Sequence, residues 1–178
     1  MNPTDGVYFR REDYAPFWRR VLIDVVDFLI VGLVCLLAIA AWTALLPRGT
    51  NNILLAGCAV FVFCYFVLLK RSKIGTVGYR IGGVRVVGLD GQPASIFALT
   101  VRLLFAPLGP GNWLFDLIWL SGDEHRQALR DKFTQTYVVK LQAEPAGRGK
   151  LVHHYYEICG YNFLFREVEI EKTMAGRP

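Results

Sequence analysis

Arg19-Arg20-Val21-Leu22-Ile23-Asp24-Val25-Val26-Asp27 leads straight into Phe28–Leu46, a run without one charged side chain. That run is about the length of an α-helix crossing the hydrocarbon core of a bilayer, which takes roughly 17–25 apolar residues. Arg20, Asp24 and Asp27 recur at helical spacing and share one face of the same helix. Asp27 lies seven residues past Arg20, about 10 Å further along the axis at ~1.5 Å per residue. A charge at bilayer depth costs roughly 2.5–3.5 kcal/mol on insertion scales, so Asp27 needs protonation or a cation from its own helix or a neighbouring segment.

Outward from this stretch, Pro16 suits the first turn of the helix. Phe17 and Trp18 suit the water–lipid interface. A second uncharged run, Ile53–Leu69, follows after Pro47-Arg48-Gly49-Thr50-Asn51-Asn52. So short a breaker-rich turn joins antiparallel neighbours. Arg10, Arg11, Arg19 and Arg20 precede the first helix, and Lys70, Arg71, Lys73, Arg80 and Arg85 follow the second, whereas the turn between holds only Arg48. The positive-inside rule then places the N-terminus in the cytoplasm and the chain in the cell (inner) membrane. The net charge of +5 comes from these flanks, and no nucleic-acid-binding module is visible. Cys35, Cys58 and Cys64 sit within the apolar runs as small packing residues. The N-terminus lacks the pattern of a cleavable signal.

Beyond Leu69 the pattern changes. Val84-Arg85-Val86-Val87-Gly88-Leu89 and Thr136-Tyr137-Val138-Val139-Lys140-Leu141 predict two short strands that pair. Between them Ala94–Phe105 predicts an amphipathic helix carrying Arg102. Pro107-Leu108-Gly109-Pro110-Gly111-Asn112 breaks it, and Trp113–Leu120, with Asp116, resumes it. Basic residues flank both sides, which favours a broken re-entrant or interfacial hairpin over a third full span. Residues 142–150 read as a linker; in the aromatic tail beyond, Val168-Glu169-Ile170-Glu171 alternates as strand and Asn162 after Gly160-Tyr161 marks a hairpin turn. The predicted fold is an all-α membrane protein: a two-span antiparallel hairpin plus a broken re-entrant or third membrane helix, with a small cytoplasmic β element. Its segments are residues 1–15, a membrane domain over 16–141 and a cytoplasmic tail over 142–178.

Three constellations carry charge. The Arg20–Asp24–Asp27 face serves either as an ion pair docking the helix or as an ion or proton site. Asp116 follows a helix break, where free helix ends coordinate ions, and Arg20, Arg102 or Arg126 are its candidate neutralisers. Arg126-Gln127-Ala128-Leu129-Arg130-Asp131-Lys132 reads on composition as a solvated helix beside the membrane. Gly75-Thr76-Val77-Gly78 is not the glycine loop that cradles phosphate. His153, His154 and Cys159 do not form a metal-binding pattern. Neither metal nor cofactor is expected, and no arrangement points to a nucleophile, so the chain is not expected to be an enzyme.

These motifs together resemble the RDD family of small membrane proteins, named for one arginine and two aspartates. The aromatic stretch Phe17-Trp18-Arg19-Arg20 followed by Asp27 carries over the arginine and first aspartate. Gly75-Thr76-Val77-Gly78 and Gly83-Val84-Arg85-Val86-Val87 match the family's middle. The box Arg126–Lys132 ahead of Val138-Val139 makes Asp131 the second aspartate, with Asp116 a rival. A small residue plus threonine is expected before the last strand; here Gln135-Thr136 stands. The resemblance covers about residues 14–141 and implies a transport-associated module, cation/proton exchange included. Two spans cannot enclose a pathway, so this reading requires a homo-oligomer or other membrane proteins as partners beside the lipid bilayer. The alternative is a non-catalytic scaffold or accessory subunit.

Overall fold

The computed structural model describes residues 5–45, 51–105, 126–158 and 160–169, together with 111, 114, 116 and 118–120. Helix α1 (Phe17–Leu45) is 29 residues long, or about 43 Å, which matches a bilayer with its headgroup layers. Its buried residues are Arg20, Ile23, Asp24, Asp27 and Val31, all in the first half. The rest presents Leu29, Leu33, Leu36 and Leu37 outward. Helix α2 (Asn51–Phe63) runs on into a π-helical turn, Cys64–Leu69. Both segments are long and apolar enough to cross a membrane. A π-turn changes the angular phase of the residues in it. Here it accompanies the burial of Tyr65, Phe66 and Val67, and Tyr65 and Phe66 pack with Val31 of α1.

The remainder is not all-α. Helix α3 (Val77–Gly82) is capped at its start by the Thr76 hydroxyl and at its end by Gly83 in the left-handed region. Strand β2 (Val84–Gly88) follows, then helix α4 (Ile96–Leu104), helix α5 (Leu129–Thr134) and strand β3 (Thr136–Lys140). Strands β2 and β3 pair antiparallel as the valine runs predict, Val86 opposite Val138. A second sheet joins strands from both ends of the chain in the order β1 (Asp5–Tyr8), β4 (Gly147–Ile158), β5 (Tyr161–Glu169). Among the described residues, five strands in two sheets correct the expectation of an all-α protein with a small β element. The linker reading of 142–150 is corrected as well, because Gly147–Lys150 pair with Tyr8–Asp5. The glycines that suggested a linker serve close packing. A Cβ on Gly149 would collide with the Glu169 carbonyl oxygen.

Alternation along β2 and β3 makes this ribbon the layer between two cores. Val84, Val86 and Val138 face Ile23, Val67, Tyr79 and Leu99 of the helices. Val87, Tyr137 and Val139 face Val7, Phe9, Tyr14 and Val168 on the side of the second sheet. The helix break predicted at Pro107–Asn112 falls largely outside the described residues. Beyond it, residues 114, 116 and 118–120 are helical.

Candidate functional site

Ala128 is the N-cap of helix α5, and Asp131 is the third residue of the helix. From there its carboxylate reaches back to accept the Ala128 N–H at 3.0 Å. This half of a capping box fixes the carboxylate in place. Its two oxygens then receive two arginines from distant elements: Oδ2 from Nη1 of Arg20 on α1, and Oδ1 from Nη1 of Arg102 on α4. Both arginines are tied further. Arg20 donates from Nε to the Ala15 carbonyl (3.0 Å) and from Nη2 to the Arg126 carbonyl (2.8 Å). Arg102 donates to the Thr136 hydroxyl at 2.9 Å, and Thr134 and Thr136 share a hydroxyl contact of 2.9 Å. Asp131 is fully buried. Burial alone would raise its pKa, but Arg102, Arg20 and Arg130 outweigh that and hold the carboxyl well below the usual range.

The next residue outward in the network is Arg130. Its Nη2 lies 2.9 Å from Oδ2 of Asp24 and 3.0 Å from Oδ2 of Asp116. Burial would lower its pKa, yet the attraction of Asp24, Asp116 and Asp131 raises it, so this arginine stays charged. Asp116 is held less firmly. Its Oδ1 is buried and lacks a hydrogen-bond partner among the described residues. Burial pushes its carboxyl up to about 6 against the pull of Arg130. Arg20, Arg102 and Arg130 thus meet Asp24, Asp116 and Asp131, three charges of each sign, in one buried and electrically balanced cluster.

Asp27 stands apart. Oδ1 accepts from the Tyr65 hydroxyl at 2.9 Å and from the Gly78 N–H at 2.7 Å, and Oδ2 accepts from the Thr76 hydroxyl at 2.6 Å. Among the described residues no cation comes within ion-pair reach of it. The Gly75–Gly78 segment is the receptor for this carboxylate: Thr76 caps α3 while donating to Asp27. A side chain on Gly78 would meet the Ile23 carbonyl oxygen at 2.5 Å and the Asp27 carboxyl carbon at 2.8 Å.

The structure brings Arg20, Asp24, Asp116 and Asp131 together. Arg20, Asp24 and Asp27 are all buried on one flank of α1, yet each meets different partners. Of the two alternatives for Asp27, protonation or a cation, no cation is found among the described residues; hydroxyl and amide donors hold it. Two expectations change. The cation on Asp116 is Arg130, not Arg20, Arg102 or Arg126. Asp131 is fully buried instead of solvated. Arg85 lies away from the cluster, exposed on β2, where it donates to the Ala143 carbonyl at 2.8 Å. Tyr65 and Thr136 join the site beyond the residues singled out from sequence, whereas Arg102 and Arg130, both named there, take Asp131 and the pair Asp24 and Asp116 as partners. Arg102 left a signal, since it is the one charge in the amphipathic stretch Ala94–Phe105.

Two helices long and apolar enough to cross a membrane, the first of them tied into a buried arginine–aspartate cluster, point to a small membrane protein. The chain belongs to the RDD family, whose model matches residues 14–135. It is similar to "Uncharacterized protein YckC" of Bacillus subtilis (strain 168), 30% identical over 131 residues that cover 70% of this chain and 83% of that protein. No solved structure matches it.

Proposed function

We propose that this protein is a transport-associated module of the cell (inner) membrane, N-terminus in the cytoplasm, in which Asp27 handles a proton or cation and the neighbouring cluster is the scaffold. One observation carries the reading. The three arginines of the cluster are balanced by three aspartates, whereas Asp27, 1% exposed, is a further carboxylate without a cationic partner among the described residues. Acids at bilayer depth mark proton and ion paths. Tyr65 and Thr76 supply rotatable hydroxyls that accept as well as donate, as exchange of a proton or a partly dehydrated cation at Asp27 requires. Two spans do not enclose a path, so the working unit is an oligomer or a complex with other membrane proteins.

The test is flux in proteoliposomes. Proton-coupled movement of a monovalent cation that Asp27→Asn abolishes, with the fold kept, supports the reading. Flux that persists in Asp27→Asn refutes it. The scaffold reading draws on the balance of the cluster, which suits a rigid brace. Vesicles without flux, joined to recovery of one fixed partner in mild detergent, favour it.

A further inference from the structure

Beyond Val31, helix α1 is exposed over 32–45 except at Cys35 and Trp42, which are half-buried. They lie seven positions apart and so share one face. On α2 the half-buried residues are Leu54, Cys58 and Phe61 with Val62 beside it, again at helical recurrence. These faces form the seam between the two apolar helices. At that seam the thiols of Cys35 and Cys58 share a hydrogen bond. Neither is in a disulfide. Both also line a cavity of about 320 Å³ whose other walls include Val34, Trp42, Leu54 and Phe61. Val34 is exposed as well, so the cavity opens onto whatever surrounds the helices.

We propose that Cys35 and Cys58 are a redox pair, closed to a disulfide across the two helices by a lipid-soluble quinone. Two S–H bonds break and one S–S bond forms. Two electrons and two protons pass to the quinone, whose carbonyl oxygens become the hydroxyls of a quinol. The oxidant class follows from the surroundings. Both cysteines lie inside runs without a charged side chain, and their cavity is lined by apolar and aromatic residues. Glutathione, which keeps cytosolic thiols reduced, is charged and unsuited to that environment. A quinone ring is uncharged, and a cavity of a few hundred Å³ is of the size that takes small molecules. The bond would fix the helix pair near the Asp27 site. Cys35 lies eight residues past Asp27, about 12 Å along the axis at ~1.5 Å per residue. Cys58 lies seven residues ahead of Tyr65, whose hydroxyl donates to Asp27 at 2.9 Å. Oxidation therefore restrains the separation of the two helices that carry this hydrogen bond.

The test uses the reduced full chain in phosphatidylethanolamine–phosphatidylglycerol vesicles, with and without decylubiquinone. After incubation the protein is denatured in N-ethylmaleimide and mapped by mass spectrometry, and quinol is followed by absorbance. With the quinone, the chain should carry two fewer alkylated thiols, yield a peptide pair joined through Cys35 and Cys58, and form one quinol per disulfide. Without it, both cysteines should be alkylated. Cys35→Ser should lose the joined peptides and the quinol together, whereas Cys64→Ser should keep both. Full alkylation of Cys35 and Cys58 in the unaltered chain, with the quinone left oxidised, overturns the proposal. So does a disulfide through Cys64 or between two copies, or a quinone attached covalently to one cysteine in place of the disulfide.

Discussion

Replacing Asp131 with asparagine changes one oxygen to nitrogen, and the surrounding arginines set the cost. Each oxygen of Asp131 takes one arginine, and Oδ2 takes the Ala128 N–H as well. Asparagine keeps one carbonyl oxygen and turns an NH2 group toward the other guanidinium, donor against donor. One of Arg20 and Arg102, 3% and 6% exposed, is left as a buried cation without its anion. Breaking a buried pair in this way costs about 3–5 kcal/mol, against a total of about 5–15 for a folded domain. Asp27→Asn is the internal control. With its carbonyl oxygen at Oδ1 it keeps Tyr65 and Gly78, and the Thr76 hydroxyl can turn to accept from the new NH2. That change should cost about 1 kcal/mol. Thermal unfolding in mild detergent, followed by tryptophan fluorescence, should show a midpoint lower by roughly 6–20 °C for Asp131→Asn and by a few degrees for Asp27→Asn. Equal losses for the two, or a larger one for Asp27→Asn, would refute the division into a charge-balanced latch and a separately held carboxylate.

The same geometry sets other expectations. Asp116, raised to about 6 by burial, stabilises the fold fully below the unfolded carboxylate range near 4 and loses that contribution as pH rises through 6. Asp131, depressed by its arginines, acts oppositely: its contribution is complete above about pH 4 and is withdrawn as pH falls toward its folded value. A pH series of unfolding midpoints should therefore decline between pH 4 and 6, and Asp116→Asn should flatten that slope. A slope unchanged in the variant would assign it to another group. Gly78→Ala places a methyl against the Asp27 carboxyl and the Ile23 carbonyl; it should cost about 1–3 kcal/mol as an overpacked site, read as a lower midpoint. Gln135 holds a φ of 53° at the end of α5, where a side chain is strained, so Gln135→Gly should gain up to about 1 kcal/mol. A drop in midpoint there would mean that the glutamine side chain contributes more than its backbone strain costs.

The sequence determined whatever depends on near neighbours in the chain. Two uncharged runs of spanning length, the antiparallel turn between them and the valine alternation of β2 and β3 are all short-range patterns; the two long apolar helices and the paired strands appear in the structure. The motif residues Arg20, Asp27 and Asp131 could be named from spacing and resemblance. Pairing could not, because a carboxylate's partner depends on which distant element arrives beside it. Arg20 meets Asp131 across 111 positions, and Asp27 meets Thr76 across 49. One flank of α1 presents Arg20, Asp24 and Asp27 to different neighbours, since α5 packs at one level and the Gly75–Gly78 segment at another. The second sheet was legible in part, as a strand and a hairpin turn in the tail, but its union with β1 was hidden for the same reason. Its strands come from opposite ends of the chain, and the glycines that let them pack closely read locally as linker. Only the assembled fold decides that the arginines have spoken-for partners and that Asp27 is held by neutral donors.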